Sequence, residues 1–317
     1  MPRNTRARRP LVATTLAVTG AAVALVATLL TGQGGPSAGE RTAGERASPA
    51  YPGGLPGRVT EDDRLLHDAE QHLLRDCMRR HGFTYRVFPL DEDQGVDAFV
   101  YVLDDTAWAR QHGYGSALRR ERTARARSDP NRAYFAALPA DRKARALVAA
   151  NGPSPDGLRV TLPGGGTVRR SDRGCVAESQ RRLYGDLGAW FGASTRVEAL
   201  RQIRRSRVMA EGDYTAALGD WRLCMRRAGH PFATPAAARA AALSAAHPLG
   251  KAREVGLALA EVRCAGESEL GRTARRLDDH HGRLLAREHR ADVEARDRLR
   301  AAALPRARLL LGDGPQG

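Results

Sequence analysis

The hydrophobic and polar positions divide the chain into an apolar start, a polar stretch and a long part with mainly helical spacing. Residues 11–30 contain no charged side chain, and residues 1–10 carry four arginines and no acid. Twenty helical residues rise about 30 Å, which matches a bilayer core and exceeds the usual apolar stretch of a removable signal. We therefore expect a transmembrane anchor or signal sequence at 11–31, with a cytoplasmic basic segment before it.

Two outcomes for this apolar segment stay open. A retained segment makes the chain a cell-membrane protein with an extracytoplasmic domain, whereas cleavage near Ser37 and Ala38 makes it a secreted protein. The following residues, 32–58, are dense in Gly, Pro, Ser and Ala, and such a composition cannot bury enough surface to fold. We expect a disordered Gly/Pro-rich stalk there.

From residue 61 onward the apolar positions mostly recur every three or four residues. This spacing predicts an amphipathic helix over 61–80 that is stopped by Gly82. A second stripe is interpreted as core packing and consists of Tyr214, Leu218, Trp221 and Met225. From Gly250 to about Ala303 few residues would break a helix, so we expect one long helix that ends at Pro305.

Other patterns predict strands and helix boundaries. Aromatic and β-branched residues favour short strands at 83–90 and 97–103, and a hairpin is expected where 158–162 and 167–169 flank the turn at 163–166. Further helices are expected over 132–150 with a break at Pro139, over 172–191, and from a capping-box pattern formed by Thr195 and Glu198.

The chain is strongly basic, with a formal charge of +15. Only Lys143 and Lys251 among the 51 basic residues are lysines, and the arginines are spread through the chain with much alanine and glycine. We interpret this mainly as codon bias, and the arginine doublets beside apolar helical positions as solvated helix faces. A second hypothesis is docking on anionic cell-wall polymer or membrane lipid headgroups. We predict no nucleic-acid partner.

Four cysteines belong to an internal repeat. Aligning Cys77 with Cys224 makes seven of the fifteen positions from residue 69 to 83 identical, and aligning Cys175 with Cys264 matches Cys-x-x-Glu-Ser in both halves. An even number of cysteines in a chain with an export signal predicts disulfides. Of the three possible connectivities, one bridge per repeat is expected, joining Cys77 to Cys175 and Cys224 to Cys264.

In each repeat, one glutamate follows the second cysteine by three residues. Glu178 and Glu267 would lie near the same helix face as those cysteines. We expect Glu178 to pair with Arg79 or its neighbour Arg80, and Glu267 with Arg226 or its neighbour Arg227. A structural ion pair is the favoured interpretation, and an active acid is the alternative.

These motifs resemble a group of actinobacterial exported proteins of uncharacterised function. The resemblance rests on the repeated Cys-Met-x-x-x-Gly and Cys-x-x-Glu motifs, on AYFAAL at 133–138 and on RRLYGDLGAW at 181–190, and it covers about residues 60–275. The first repeat departs from the pattern, since Leu74 stands where a tryptophan is expected. The resemblance implies no activity or catalytic residue.

Motifs for hydrolysis, zinc proteolysis and phosphate binding are absent from the sequence, so no catalytic residue is predicted. The best metal candidate combines residues 278–281 (Asp-Asp-His-His) with His289. Adjacent helical residues point about 100° apart, so these side chains cannot all face one ion. We therefore predict no metal and no cofactor. His81 and His230 beside the repeat glycines are interpreted as cap or surface histidines.

Together these patterns predict a mainly α protein with two disulfide-pinned helical repeats, a small β-hairpin in the first repeat and a long C-terminal helix. The expected domains are the first repeat at 59–195, the second repeat at 196–275, and a charged C-terminal helix and tail at 276–317. The expected role is a non-enzymatic binding or accessory ectodomain at the cell envelope, with an unknown envelope protein as a further possible partner. A cell-wall hydrolase or peptidase with an unrecognised site is the alternative.

Overall fold

The computed structural model describes residues 59–90 and 98–312. The basic segment, the apolar segment and the stalk predicted at 1–10, 11–31 and 32–58 therefore lie outside the described residues. Within the described residues, no helix is both long enough and apolar enough to cross a bilayer.

The described chain is mainly helical, as the sequence predicts. Its helices are α1 (Glu61–Arg80), α2 (Thr106–His112), α3 (Ser116–Arg127), α4 (Pro130–Ala137), α5 (Ala140–Asn151), α6 (Cys175–Tyr184), α7 (Leu187–Ala210), α8 (Gly212–Arg227), α9 (Pro235–Ala242), α10 (Lys251–Glu267), α11 (Leu270–Glu288) and α12 (Arg290–Gly312). Strands β1 (Leu158–Thr161) and β2 (Thr167–Arg170) form the predicted antiparallel hairpin, in which Val160 pairs with Val168.

The two earlier strand predictions are wrong. Residues 83–90 and the described part of 97–103 are irregular, and their backbone groups bond to side chains instead of a neighbouring strand. The Arg86 N–H donates to Asn131 Oδ1 at 2.7 Å, and the Leu103 N–H donates to Glu261 Oε1 at 2.9 Å. Aromatic and β-branched composition therefore reflects burial here, because these partners replace the ladder of a sheet.

Several predicted helix boundaries also differ from the structure. The expected helix over 172–191 breaks at Gly185, which has φ of +84°, and Asp186 then caps α7 by accepting from the Ala189 N–H at 2.9 Å. Thr195 consequently lies inside α7 and does not begin a helix. The break predicted at Pro139, between α4 and α5, is confirmed.

The predicted long C-terminal helix is confirmed as α12, but the region from residue 250 is three helices instead of one, and the end predicted at Pro305 is wrong. Glu269 adopts a left-handed conformation with φ of +54° between α10 and α11, and His289 ends α11. The last helix, α12, continues through Pro305 to Gly312. Ala303 and Ala307 on either side of the proline are fully buried, so tertiary packing outweighs the local cost of a helical proline.

The first core lies on both sides of α1. On one side α1 packs with α6, the start of α7 and the C-terminal helix α12, and the rings of Tyr184 and Trp190 stack there at 3.6 Å. On the other side Leu74, Met78 and Phe83 pack with the buried alanines of α5 around the first disulfide. The C-terminal helix is therefore an integral part of the first core.

The second core combines α8 to α11 with a segment from the first half of the chain. Val102, Leu103, Ala109 and Tyr114 are all buried against these helices. Glu261 of α10 accepts hydrogen bonds from the Leu103 N–H and the Tyr114 hydroxyl. Burial raises the pKa of Glu261 to about 7, against the opposing effect of these hydrogen bonds.

Candidate functional site

Two disulfides join the cysteines in the predicted pairs. Cys77 is bonded to Cys175, Cys224 is bonded to Cys264, and the Cα–Cα distance is 5.5 Å in both bridges. Each first cysteine lies in the last turn of a helix, α1 or α8, and each second cysteine lies on a later helix, α6 or α10. The pairing prediction is therefore confirmed, and each bridge ties two helices together.

The first Cys motif folds in the same way in both repeats. The backbone N–H groups of Gly82 and Gly229 donate to Arg79 O and Arg226 O, each at 3.0 Å. Both glycines have positive φ, +76° and +81°, which glycine adopts without the steric cost of a Cβ atom. His81 is the cap residue of α1, as predicted, and Ala228 takes the same place after α8.

The second Cys motif also repeats its contacts. Ser179 Oγ donates to Cys175 O at 2.7 Å, and Ser268 Oγ donates to Cys264 O at the same distance. The carboxylate oxygen of Glu178 lies 3.3 Å from Cys77 Sγ, and that of Glu267 lies 3.2 Å from Cys224 Sγ. Each Cys-x-x-Glu-Ser motif therefore places a carboxylate directly beside its disulfide.

The second arginine of each doublet pairs with this carboxylate. Glu178 bonds to Arg80, and Glu267 lies 3.7 Å from Arg227 and 3.8 Å from Arg263. The alternative partners are not used: Arg79 lies 3.7 Å from Asp76, and Arg226 has no carboxylate partner among the described residues. Glu178 and Glu267 thus act as structural ion-pair residues, each beside its own disulfide.

A cleft of about 780 Å³ opens beside the first disulfide, and its wall is rich in basic side chains. These basic side chains are His81, Arg142, Arg145, Arg173 and Arg181. They come from the end of α1, from α5, from the segment before α6 and from α6 itself. The cleft therefore lies where these elements meet, near the Cys77–Cys175 bridge.

Close backbone packing forms one end of this cleft. Gly152, which ends α5, and Gly174, which precedes α6, both line it and both have positive φ. A Cβ atom on Gly174 would lie 2.4 Å from the Gly152 backbone nitrogen, so a larger residue would force the segments apart. These glycines therefore bring α5 close enough to α6 for their arginines to share one cleft.

A buried polar network holds α6 in place behind the cleft. Glu70 of α1 accepts a hydrogen bond from Gln180 Nε2 at 2.8 Å, and Arg170 of β2 donates to Gln180 Oε1. Burial raises the pKa of Glu70 to about 7, although the Gln180 hydrogen bond and the Arg170 charge oppose this change. The network fixes α6, which carries Cys175, Glu178 and Arg181, against α1.

Ion pairs with arginine occupy the carboxylates in and around the cleft. The pairs are Asp141 with Arg145 at 2.6 Å, Asp172 with Arg173 at 4.0 Å, and Glu178 with Arg80. Each of these three carboxylates thus already has an arginine partner.

Arg142 and Arg181 have no carboxylate partner among the described residues. Arg142 donates to Gly82 O at 2.9 Å, and its guanidinium lies 4.9 Å from the centre of the Phe83 ring. Arg181 donates to Asp172 O at 2.7 Å. Carbonyl oxygens and a ring face orient these guanidiniums without cancelling their charge. The cleft therefore contains two positioned arginines that form no ion pair among the described residues.

The residues of the candidate metal site, 278–281 and His289, make contacts with different neighbouring elements. Asp278 accepts from the Tyr101 hydroxyl at 2.6 Å and lies 3.2 Å from Arg204, while His281 Nε2 lies 2.7 Å from Glu211 Oε1. His289 is the cap residue at the end of the helix. The structure therefore gives these residues roles in holding neighbouring elements.

Sequence reasoning missed Arg142 and Arg181 because they lie on separate helices and no local motif marks either one. A pattern of arginines beside two positive-φ glycines is visible only after folding. Comparison with protein-family models, curated proteins and solved structures found no match. The resemblance to actinobacterial exported proteins stays a prediction.

Proposed function

We propose that the chain is a non-enzymatic binding protein of the cell envelope, whose arginine-lined cleft takes an anionic group of a wall polymer. The main observation in support of this proposal is that two arginines of the cleft, Arg142 and Arg181, have no carboxylate partner among the described residues. Two disulfides support an oxidising, extracytoplasmic location. The apolar segment at 11–31 then acts as the membrane anchor or the export signal.

The chemistry of the cleft favours phosphate or carboxylate groups. A guanidinium presents a planar fork of donors that matches both anions, and it keeps its charge at any physiological pH. Arg142 and Arg181 are already held by carbonyl oxygens, which reduces the conformational entropy that ligand binding would cost. A ligand with one anionic group for each arginine fits this arrangement.

A polymer segment suits the shape of the site better than a flat membrane surface. The cleft is concave, and its apolar wall includes Val148, which is 49% exposed, next to the basic side chains. A chain segment can place its charged group inside such a cleft and lay its less polar part along α5. Lipid headgroups are the competing ligand, and vesicle binding tests them.

The test compares the full-length protein with an Arg142→Gln, Arg181→Gln double variant. Both are sedimented with purified anionic wall fragments at low salt, and we expect the double variant to bind at least about tenfold more weakly, since two charge-assisted contacts are lost. Arg110→Gln with Arg253→Gln is the matched control, because it removes the same charge from exposed positions outside the cleft. This control should bind within about twofold of the wild type.

Three outcomes would contradict the proposal. One is equal loss in the cleft and control variants, which would indicate only general charge. Another is binding that persists unchanged in about 0.5 M salt, where exposed charges are strongly screened. The third is binding to anionic lipid vesicles and not to wall fragments. Release of soluble fragments by the wild type, lost in Glu178→Gln, would instead favour a hydrolase.

A further inference from the structure

Potential metal ligands surround the first disulfide. The ligand atoms of Cys77, His81 and Cys175 all lie within 4.8 Å of one another. The Glu178 carboxylate oxygen adds a fourth donor, 3.3 Å from Cys77 Sγ. Two sulfurs, an imidazole and a carboxylate are ligands that Zn²⁺ accepts in a tetrahedral site. While the sulfurs are bonded to each other they are uncharged and are not available as thiolate ligands.

Contacts other than the disulfide bond also join the two helices that carry these four groups. Cys77 and His81 are four residues apart at the end of α1, so their side chains lie on the same face. Cys175 and Glu178 are three residues apart in the first turn of α6 and face α1. The hydrophobic cluster around Leu74 and the Glu70 network hold the two helices together from either side.

An entry path for an ion is also present. Cys77 and Cys175 are buried, but His81 is exposed and lines the arginine-rich cleft together with Glu178. A metal ion arriving from the cleft would therefore meet the imidazole and the carboxylate before it meets the sulfurs.

We propose that two-electron reduction of the Cys77–Cys175 bond turns this cluster into a Zn²⁺ site. A dithiol reductant supplies two electrons and two protons and becomes a disulfide, and Cys77 and Cys175 each become a thiol. Zn²⁺ then displaces both thiol protons as the two Zn–S bonds form, and neutral His81 donates a ring nitrogen. Glu178 stands beside the fourth position. This site shares His81 and Glu178 with the wall of the cleft, but it does not depend on the proposed anion binding.

The second repeat provides the control within the same chain. Cys224 and Cys264 have the same Cα separation, and Glu267 lies beside them as Glu178 does in the first repeat. The position equivalent to His81 is Ala228, so the imidazole is missing. The first repeat alone should therefore bind the metal tightly.

The experiment titrates the reduced full-length protein with Co²⁺, a coloured substitute for Zn²⁺, after a phosphine reductant has been removed under anaerobic conditions. We expect one Co²⁺ per chain with the absorption of a tetrahedral thiolate site, and its displacement by Zn²⁺. His81→Ala, which copies the second repeat, should weaken binding at least about tenfold, since it removes a direct ligand. Ala228→His should add a second binding equivalent, and Cys224→Ser with Cys264→Ser should keep the first.

Four results would overturn the proposal. They are unchanged affinity in His81→Ala, two equal sites in the wild type, the absence of thiolate absorption, and loss of helical circular dichroism in the reduced metal-free chain. The last result would mean that the thiols are no longer held together by α1 and α6.

Discussion

The regions around Cys77–Cys175 and Cys224–Cys264 make the same local contacts, yet their surroundings differ. In both regions a glycine with positive φ follows the first cysteine, and a serine and a glutamate follow the second. Leu74 of the first region is replaced by the fully buried Trp221 in the second. His81 is likewise replaced by Ala228.

This comparison separates the residues that form the disulfide-linked helix pair from the residues that differ between the two regions. The repeated Cys, Gly, Glu and Ser residues fix the angle between two helices. The positions that differ give each disulfide different surroundings. The second disulfide adjoins a core with large aromatic side chains, and the first adjoins an exposed histidine and a basic cleft. A repeated motif therefore predicts the scaffold, and its exceptions mark the candidate site.

Removal of each disulfide is the strongest test of the comparison. The bridges close sequence separations of 98 and 40 residues, so the chain-entropy model gives losses of about 5 kcal/mol for Cys77→Ser with Cys175→Ser and about 4 kcal/mol for Cys224→Ser with Cys264→Ser. Denaturant unfolding followed by circular dichroism measures both. A larger loss for the second pair would show that folded-state contacts, and not loop closure, dominate.

Truncation of the equivalent core residues tests the difference between the regions. Trp221→Ala should lower the free energy of unfolding by about 3–5 kcal/mol, because the side chain is fully buried, and Leu74→Ala at the edge of its cluster by about 2 kcal/mol. Trp221→Leu, which copies the first repeat, should cost less than Trp221→Ala. Equal effects of the two alanine variants in the same unfolding assay would remove the distinction between the two cores.

The buried carboxylates predict a pH dependence in both regions. The folded-state pKa values of Glu70 and Glu261 are raised by burial from an ordinary 4.5 to about 7. Their contribution to stability is therefore present below about pH 4.5 and is lost as the pH rises through about 7, with each contributing about 1–3 kcal/mol. Unfolding at a series of pH values should show this decrease.

Single substitutions assign the decrease to each region. Glu70→Gln and Glu261→Gln should each remove part of it, whereas Glu198→Gln, an exposed change on α7, should leave it unchanged. A profile that is the same in all three variants would mean that other groups control the pH dependence.

Sequence reasoning predicted the features that depend on local spacing. The helical class, the hairpin, the disulfide pairs and the core stripe of Tyr214 and Trp221 all follow from periodicity or from the repeat, and the structure confirms them. The ion-pair glutamates were also identified, although the choice between neighbouring arginines required the helix geometry.

Features that depend on distant contacts could not be read from the sequence. The segment at 98–103 resembles a strand by composition, but its backbone bonds to Glu261 more than 150 residues away. Pro305 looks like a helix end because the local rule does not include the burial of Ala303 and Ala307. The cleft arginines likewise become neighbours only when α5 and α6 meet at Gly152 and Gly174.

The position of α12 in the first core determines when that core can form during synthesis. Arg300 of α12 pairs with Asp63 of α1 across 237 residues, and Ala303 and Leu66 belong to the same buried cluster. A chain that emerges N-terminus first thus carries α1 without this partner until α12 at Arg290–Gly312 has been made. The second core requires nothing beyond α11, so it can close earlier. The side of the first core that contains α12 is then completed after the second core, whereas the cleft needs no residue beyond α6.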